Sequence, residues 1–283
     1  MNRRRQVVRA YLLLPHAVPV MAVMATTAAF AAIASDGLPR WRTLAELLLA
    51  MLGAQVVIGA VNELVDAETD ARVKPSKPIP AGLVTRRGAR VLALVAFAGM
   101  VWFAALLGWR SLALCVGGTA VGVAYSLWFK RTLLAWLPYL VALPLIPIWV
   151  FVAVAGFDAR LLVLYPLGAL AVVSVHLSQS LPDVAADRAS GVRNVTSTLG
   201  ESASFALVVC AMAASVVVAA VAAALWTDAP RWVFAAGVFV LALQAINLGV
   251  FLHRTRSGVM ACFPCVAAGT GILGIGWVLA VTR

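Results

Sequence analysis

LAELLLAMLGAQVVIGAVNELVDAETD, residues 44–70, decides how this chain folds. An apolar run long enough to cross a bilayer passes without a break into Asn62, Glu63, Asp66, Glu68 and Asp70. Four-residue spacing on a helix leaves side chains about 40° apart around the axis and roughly 6 Å apart along it. Asn62, Asp66 and Asp70 therefore share one face. A second motif repeats the arrangement after another apolar run, with Asp183 and Asp187 at the same spacing. Six of the eleven acidic residues lie within residues 62–70 and 183–187, so the acids are concentrated rather than spread over a solvated surface.

Around these motifs the chain is greasy. The hydrophobic fraction is 63%, charged residues make up 12%, and mean hydropathy is +0.99. A 283-residue soluble protein does not have this composition. The expected fold is all-α, a polytopic bundle of nine transmembrane helices near residues 11–34, 44–64, 89–108, 111–129, 133–155, 161–181, 203–226, 231–252 and 259–281. The first run is too long for a signal peptide and lacks a persuasive small-residue cleavage site. No linker divides the chain, so residues 1–283 read as one domain. The acidic motifs end spans two and six, which suggests a weak duplication of spans one to four in spans five to eight, with the ninth added.

Orientation follows from Lys and Arg. Nine spans put sixteen basic residues on one side, including residues 3, 4, 254 and 256, and six on the other, Arg283 among them. The N-terminus is expected in the cytoplasm, the C-terminus outside, and both acidic motifs at the cytoplasmic face of an integral membrane protein. The net charge of +11 is largely this asymmetry and gives no reason to expect nucleic acid. No protein partner is implied. Cys115, Cys210, Cys262 and Cys265 sit in apolar surroundings and read as buried, inert thiols.

Carboxylates at membrane depth need cations. Hard oxygen ligands suit Mg²⁺, which is bound by one or two carboxylates plus substrate phosphates. The loop after the first motif is basic (Arg72, Lys74, Lys77, Arg86, Arg87) and stiffened by Pro75, Pro78 and Pro80; the loop after the second carries Arg188 and Arg193. Two basic loops over two acidic helix ends suit a metal–diphosphate headgroup whose hydrocarbon tail descends between helices. Acids gathered at one face disfavour a transporter, whose ion path would spread them across the membrane.

NELVDAETD followed by KPSKPIPAG, with LPDVAADRASGVRNVTSTLG downstream, resembles the UbiA superfamily of intramembrane prenyltransferases. The resemblance extends over essentially the whole chain. It implies a nine-helix bundle whose site opens near the cytoplasmic face, and transfer of a prenyl chain from a prenyl diphosphate to a small acceptor, aromatic or quinone-precursor first. A membrane terpene cyclase, or transfer to a lipid or sugar phosphate, is the alternative. It further implies that Asp66, Asp70, Asp183 and Asp187 hold Mg²⁺, and that Asn62, Lys77, Tyr125 and Lys130 bind the diphosphate. Gln179-Ser180 replaces the Lys-Asp of many relatives, so another cation must serve there, with Arg193 the candidate. His16, in the first span, reads as a contact to diphosphate or acceptor and at least equally well as a hydrogen-bonded structural group. His176 near the second motif reads equally well as structural. Gln244 and Asn247 read as packing amides, and Trp102, Trp149 and Trp277 as lipid-facing or packing side chains first and as π faces for a carbocation second.

Overall fold

The computed structural model describes residues 3–253 and 255–282. Arg254 and Arg283, counted in the charge asymmetry, lie outside the described residues, as do the side chains of Arg3, Arg4 and Arg256. The elements are α1 (Arg3–Leu13), α2 (Ala17–Ala34), α3 (Trp41–Val73), α4 (Arg86–Leu106), α5 (Trp109–Ala124), α6 (Leu137–Val154), α7 (Leu164–Ser180), α8 (Val184–Ala189), α9 (Val195–Leu199), α10 (Glu201–Trp226), α11 (Arg231–Leu252) and α12 (Arg256–Thr282). Among the described residues, nine stretches are long and apolar enough to cross a membrane, and each corresponds to one expected span.

Three boundaries differ from expectation, each for a local reason. The first span does not begin at residue 11, because Pro15 and His16 interrupt the helix and α1 is a separate, basic segment. The second does not end at residue 64: α3 runs on through the acidic motif to Val73, since nothing before Pro75 breaks it. The sixth is assembled from short 3₁₀ turns at Ala159–Val163 and Leu181–Asp183 flanking α7, followed by α8. Pro182 forces the second of these turns. Gly108, at φ 101°, makes the tight corner between α4 and α5, which are two full spans.

Helices approach where side chains are small. A Cβ at Gly53 would lie 2.9 Å from the Ala96 carbonyl on α4, and one at Gly276 would lie 2.8 Å from the Trp232 carbonyl on α11. Bundles in lipid, where van der Waals packing rather than water exclusion drives association, favour such contacts. Asn247 donates to Gln244 within α11 at 3.3 Å and reaches the Cys262 sulfur on α12 at 3.6 Å, so that amide links the two helices. α6 carries Pro144 and Pro147 in its interior, and both line a central cavity. Interrupted backbone is tolerated in a membrane where it faces such a space.

Candidate active site

α3 delivers Asn62, Asp66 and Asp70 to one side of that cavity, and the turn from α7 into α8 delivers Asp183 and Asp187. All five line the same space, whose volume is about 1020 Å³. Asp66 and Asp70 are 7% and 6% exposed, so each needs a cation at hand. Lys130 donates to Asp66 and, at 2.9 Å, to the Asn62 amide oxygen. Arg131 adds an ion pair to Asp66 at 3.6 Å. Lys77 donates to Asp70 at 2.8 Å and to Glu63 at 2.6 Å. Lys74 reaches across from the first basic loop to Asp183 at 2.5 Å. Asp187 accepts from the Asn194 amide at 2.7 Å.

Burial alone would pull the Lys77 ammonium down, but the Glu63 and Asp70 carboxylates more than offset it and hold Lys77 above the usual lysine value. Lys77 therefore stays charged through the neutral range.

Most residues expected from sequence meet here. Tyr125 and His16 also line the cavity. Tyr125 lies in a π-helical turn, Tyr125–Phe129, packed edge-on to Tyr139 at 5.1 Å between ring centroids. That turn aims Lys130 back at α3. Arg193 is different: it is exposed and is not among the lining residues. The position left without lysine, Gln179, accepts from the Tyr139 hydroxyl, and the cation facing the second motif is Lys74. Trp149 and Trp277 line the cavity, whereas Trp102 is 65% exposed on the outside of the bundle. His176 is buried against Tyr139 rather than lining the space.

Four contributors were not assigned from sequence. Lys74 was read only as one of several loop cations. Glu63, 2% exposed, binds both Lys77 and His16. Tyr139 reaches Gln179. Asn194 caps α9 in a box with Ser197 and steadies Asp187 with the same side chain. The Asn-x-x-Ser pattern was a usable signal for that cap; the other three are contacts across long sequence separations.

Charge alternates around the cavity mouth, carboxylate against ammonium. Among the described residues, no three His, Cys, Asp or Glu side chains come together as a ready-made metal cage. Paired carboxylates with lysines between them do suit Mg²⁺, which takes few protein ligands and completes its shell with phosphate and water. Below the mouth the walls turn apolar, through Leu143 and Pro147 to Phe30, Trp149, Leu164 and Trp277. Along α2, His16 to Phe30 is a rise of roughly 21 Å.

A model described as the UbiA prenyltransferase family matches residues 22–268. A digeranylgeranylglyceryl phosphate synthase of Methanoculleus marisnigri is 32% identical over 244 residues, 81% of this chain and 82% of that one. One from Natronomonas pharaonis is 31% identical over 176 residues, 60% of this chain and 62% of that one. That match therefore spans a little over three-fifths of the relative's length. In three dimensions a UbiA homologue from Archaeoglobus fulgidus bound to GPP and Mg²⁺ superposes with a TM-score of 0.66 at 17% identity, over 96% of this chain and all of that one. At that identity the likeness is one of fold.

Proposed function

The chain belongs to the UbiA prenyltransferase family, and we propose that it transfers a prenyl chain from a prenyl diphosphate to the hydroxyl of a phosphorylated, glycerol-lipid type of acceptor, with Mg²⁺ as its metal. The observation that carries the reading is the convergence of both acidic motifs and three lysines on the mouth of one apolar-walled cavity.

Asp66, Asp70, Asp183 and Asp187 would hold the metal. Bound there with the substrate, Mg²⁺ supplies charge neutralisation at the phosphate oxygens. The chain's own cations do the rest. Lys74, Lys77 and Lys130 stand within reach of the leaving group and stabilise the negative charge that grows on it as the allylic C–O bond breaks. Asn62 and Tyr125 orient the head, and Asn194 keeps Asp187 directed into the cavity. The apolar walls exclude water, so that the acceptor rather than solvent captures the allylic carbon. An extended chain advances about 1.1–1.2 Å per bond, so a depth near 21 Å takes roughly four isoprene units.

The acceptor order differs from the one drawn from sequence alone. The names of the relatives favour a glycerophosphate, and a cation-rich mouth suits two anionic substrates at once. An aromatic acceptor is the second reading, favoured by Trp149 and Trp277 in the walls. In this reading the mouth faces the cytoplasm, which the basic loops around it support. Incubating the purified protein with geranylgeranyl diphosphate, Mg²⁺ and either geranylgeranylglyceryl phosphate or 4-hydroxybenzoate, followed by mass spectrometry, separates the readings. A prenylated glycerophosphate supports the first and a prenylated aromatic the second. A cyclised hydrocarbon formed with no acceptor would replace both with a cyclase.

A further inference from the structure

His16 occupies a conformation that a side chain rarely accepts. Its φ is 61°, in the left-handed region, at the junction where α1 ends and α2 begins. Backbone strain of that kind persists only where the surroundings enforce it. Two contacts enforce it here. Pro15 lies against α3 at Gly59, where even a Cβ would come within 2.6 Å of the proline Cα. The imidazole Nε2 lies 3.2 Å from Oε1 of buried Glu63. The His16 side chain is 43% exposed and faces the cavity.

A carboxylate beside Nε2 keeps the proton on that nitrogen and leaves the Nδ1 lone pair available, as a carboxylate does for any catalytic imidazole. Nδ1 has no hydrogen-bond partner among the described residues. Glu63 in turn is anchored by Lys77 at 2.6 Å, which leaves its charge fixed in place. Position matters as much as tautomer. Glu63 precedes Asp66 by one turn of α3, about 4.5 Å along the axis toward the apolar chamber. A diphosphate held at Asp66 and Asp70 would carry its allylic carbon toward Glu63 and His16, which lines the same cavity.

We propose that His16 is the proton acceptor of the transfer step, with Glu63 its positioning residue. Either acceptor class must lose a proton. For a hydroxyl acceptor, an oxygen lone pair forms the new C–O bond at the allylic carbon. The bond from that carbon to diphosphate breaks with its electron pair leaving on diphosphate, and the hydroxyl proton passes to Nδ1. The imidazolium so formed is stabilised by Glu63 and returns its proton to water when product leaves. This rests on the prenyl-transfer reading above, and the test is arranged to tell the two apart.

Asn tolerates the left-handed region, so His16→Asn keeps the turn and removes the base; His16→Gln serves as the second variant. Wild type is first assayed with geranylgeranyl diphosphate and each of the two acceptors; product with neither sinks the prenyl-transfer reading and this one with it. With the productive acceptor, kcat of both variants should fall by about 10²-fold or more, the usual contribution of a general base, with KM values within a few-fold. Glu63→Gln should fall less. Scrambling of ¹⁸O between bridging and non-bridging positions of geranylgeranyl diphosphate reports ionisation alone and should persist in the His16 variants. Undiminished kcat, a raised KM at constant kcat, or loss of scrambling together with transfer would each overturn the assignment; the last would place His16 on the diphosphate.

Discussion

Asp66, Asp70, Asp183 and Asp187 are not held in the same way. The first pair is buried on a long helix against Lys130 and Lys77, and the second is half-buried on a turn held by Lys74 and Asn194. Each replaced by Ala should lower turnover about 10²-fold or more, comparable to removing one electrostatic transition-state donor. An Asp183 variant that folds normally yet turns over at the wild-type rate would remove the second motif from the site. Lys77 differs from what its loop position suggests. From the sequence it is one cation among several, and its loss should be mild. In the fold it meets Glu63 and Asp70 together at 20% side-chain exposure, so Lys77→Ala leaves buried Asp70 without its cation and Glu63 with His16 alone. Breaking such a pair costs roughly 3–5 kcal/mol. A thermal melt in detergent should show a large drop for Lys77→Ala and little change for exposed Arg193→Ala; equal melting points would contradict the buried pairing.

At the scale of the element, spacing made the acidic faces legible. Residues 62, 66 and 70 share a side of α3 because helical geometry requires it, and apolar runs gave the nine spans to within a few residues at most ends. What spacing could not give were the contacts that close the site. Lys74 meets Asp183 across 109 residues and Lys130 meets Asp66 across 64, distances over which local pattern carries no information. The break at Pro15 and His16 was hidden inside an apolar run, although the proline was its signal. Gly59 is the element-scale test of how α3 seats that break. A methyl group there must push the Pro15 backbone away, so Gly59→Ala should cost about 1–3 kcal/mol through overpacking and reduce transfer without touching any charged residue. An unchanged melting point with full activity would show that the close approach carries no weight.

For the molecule as a whole, the site requires both acidic motifs on one side of the membrane. Spans two and six end at the same face as long as α4 and α5 do not merge into a single crossing, and they are two separate helices around Gly108, each long enough to cross. Cysteines introduced at Ser76 and Ser190 should therefore be labelled from the same side by a membrane-impermeant reagent; labelling from opposite sides would leave no shared site. The central claim is that these two motifs bind one prenyl diphosphate with a divalent metal and discharge it onto an acceptor. It is tested most directly by mass spectrometry of products from purified protein given geranylgeranyl diphosphate and geranylgeranylglyceryl phosphate. Wild type should give the prenylated glycerophosphate with Mg²⁺, none in excess chelator, and the product again when Mg²⁺ is restored. Undiminished product in excess chelator, or equal product from Asp66→Ala and Asp183→Ala, would contradict it.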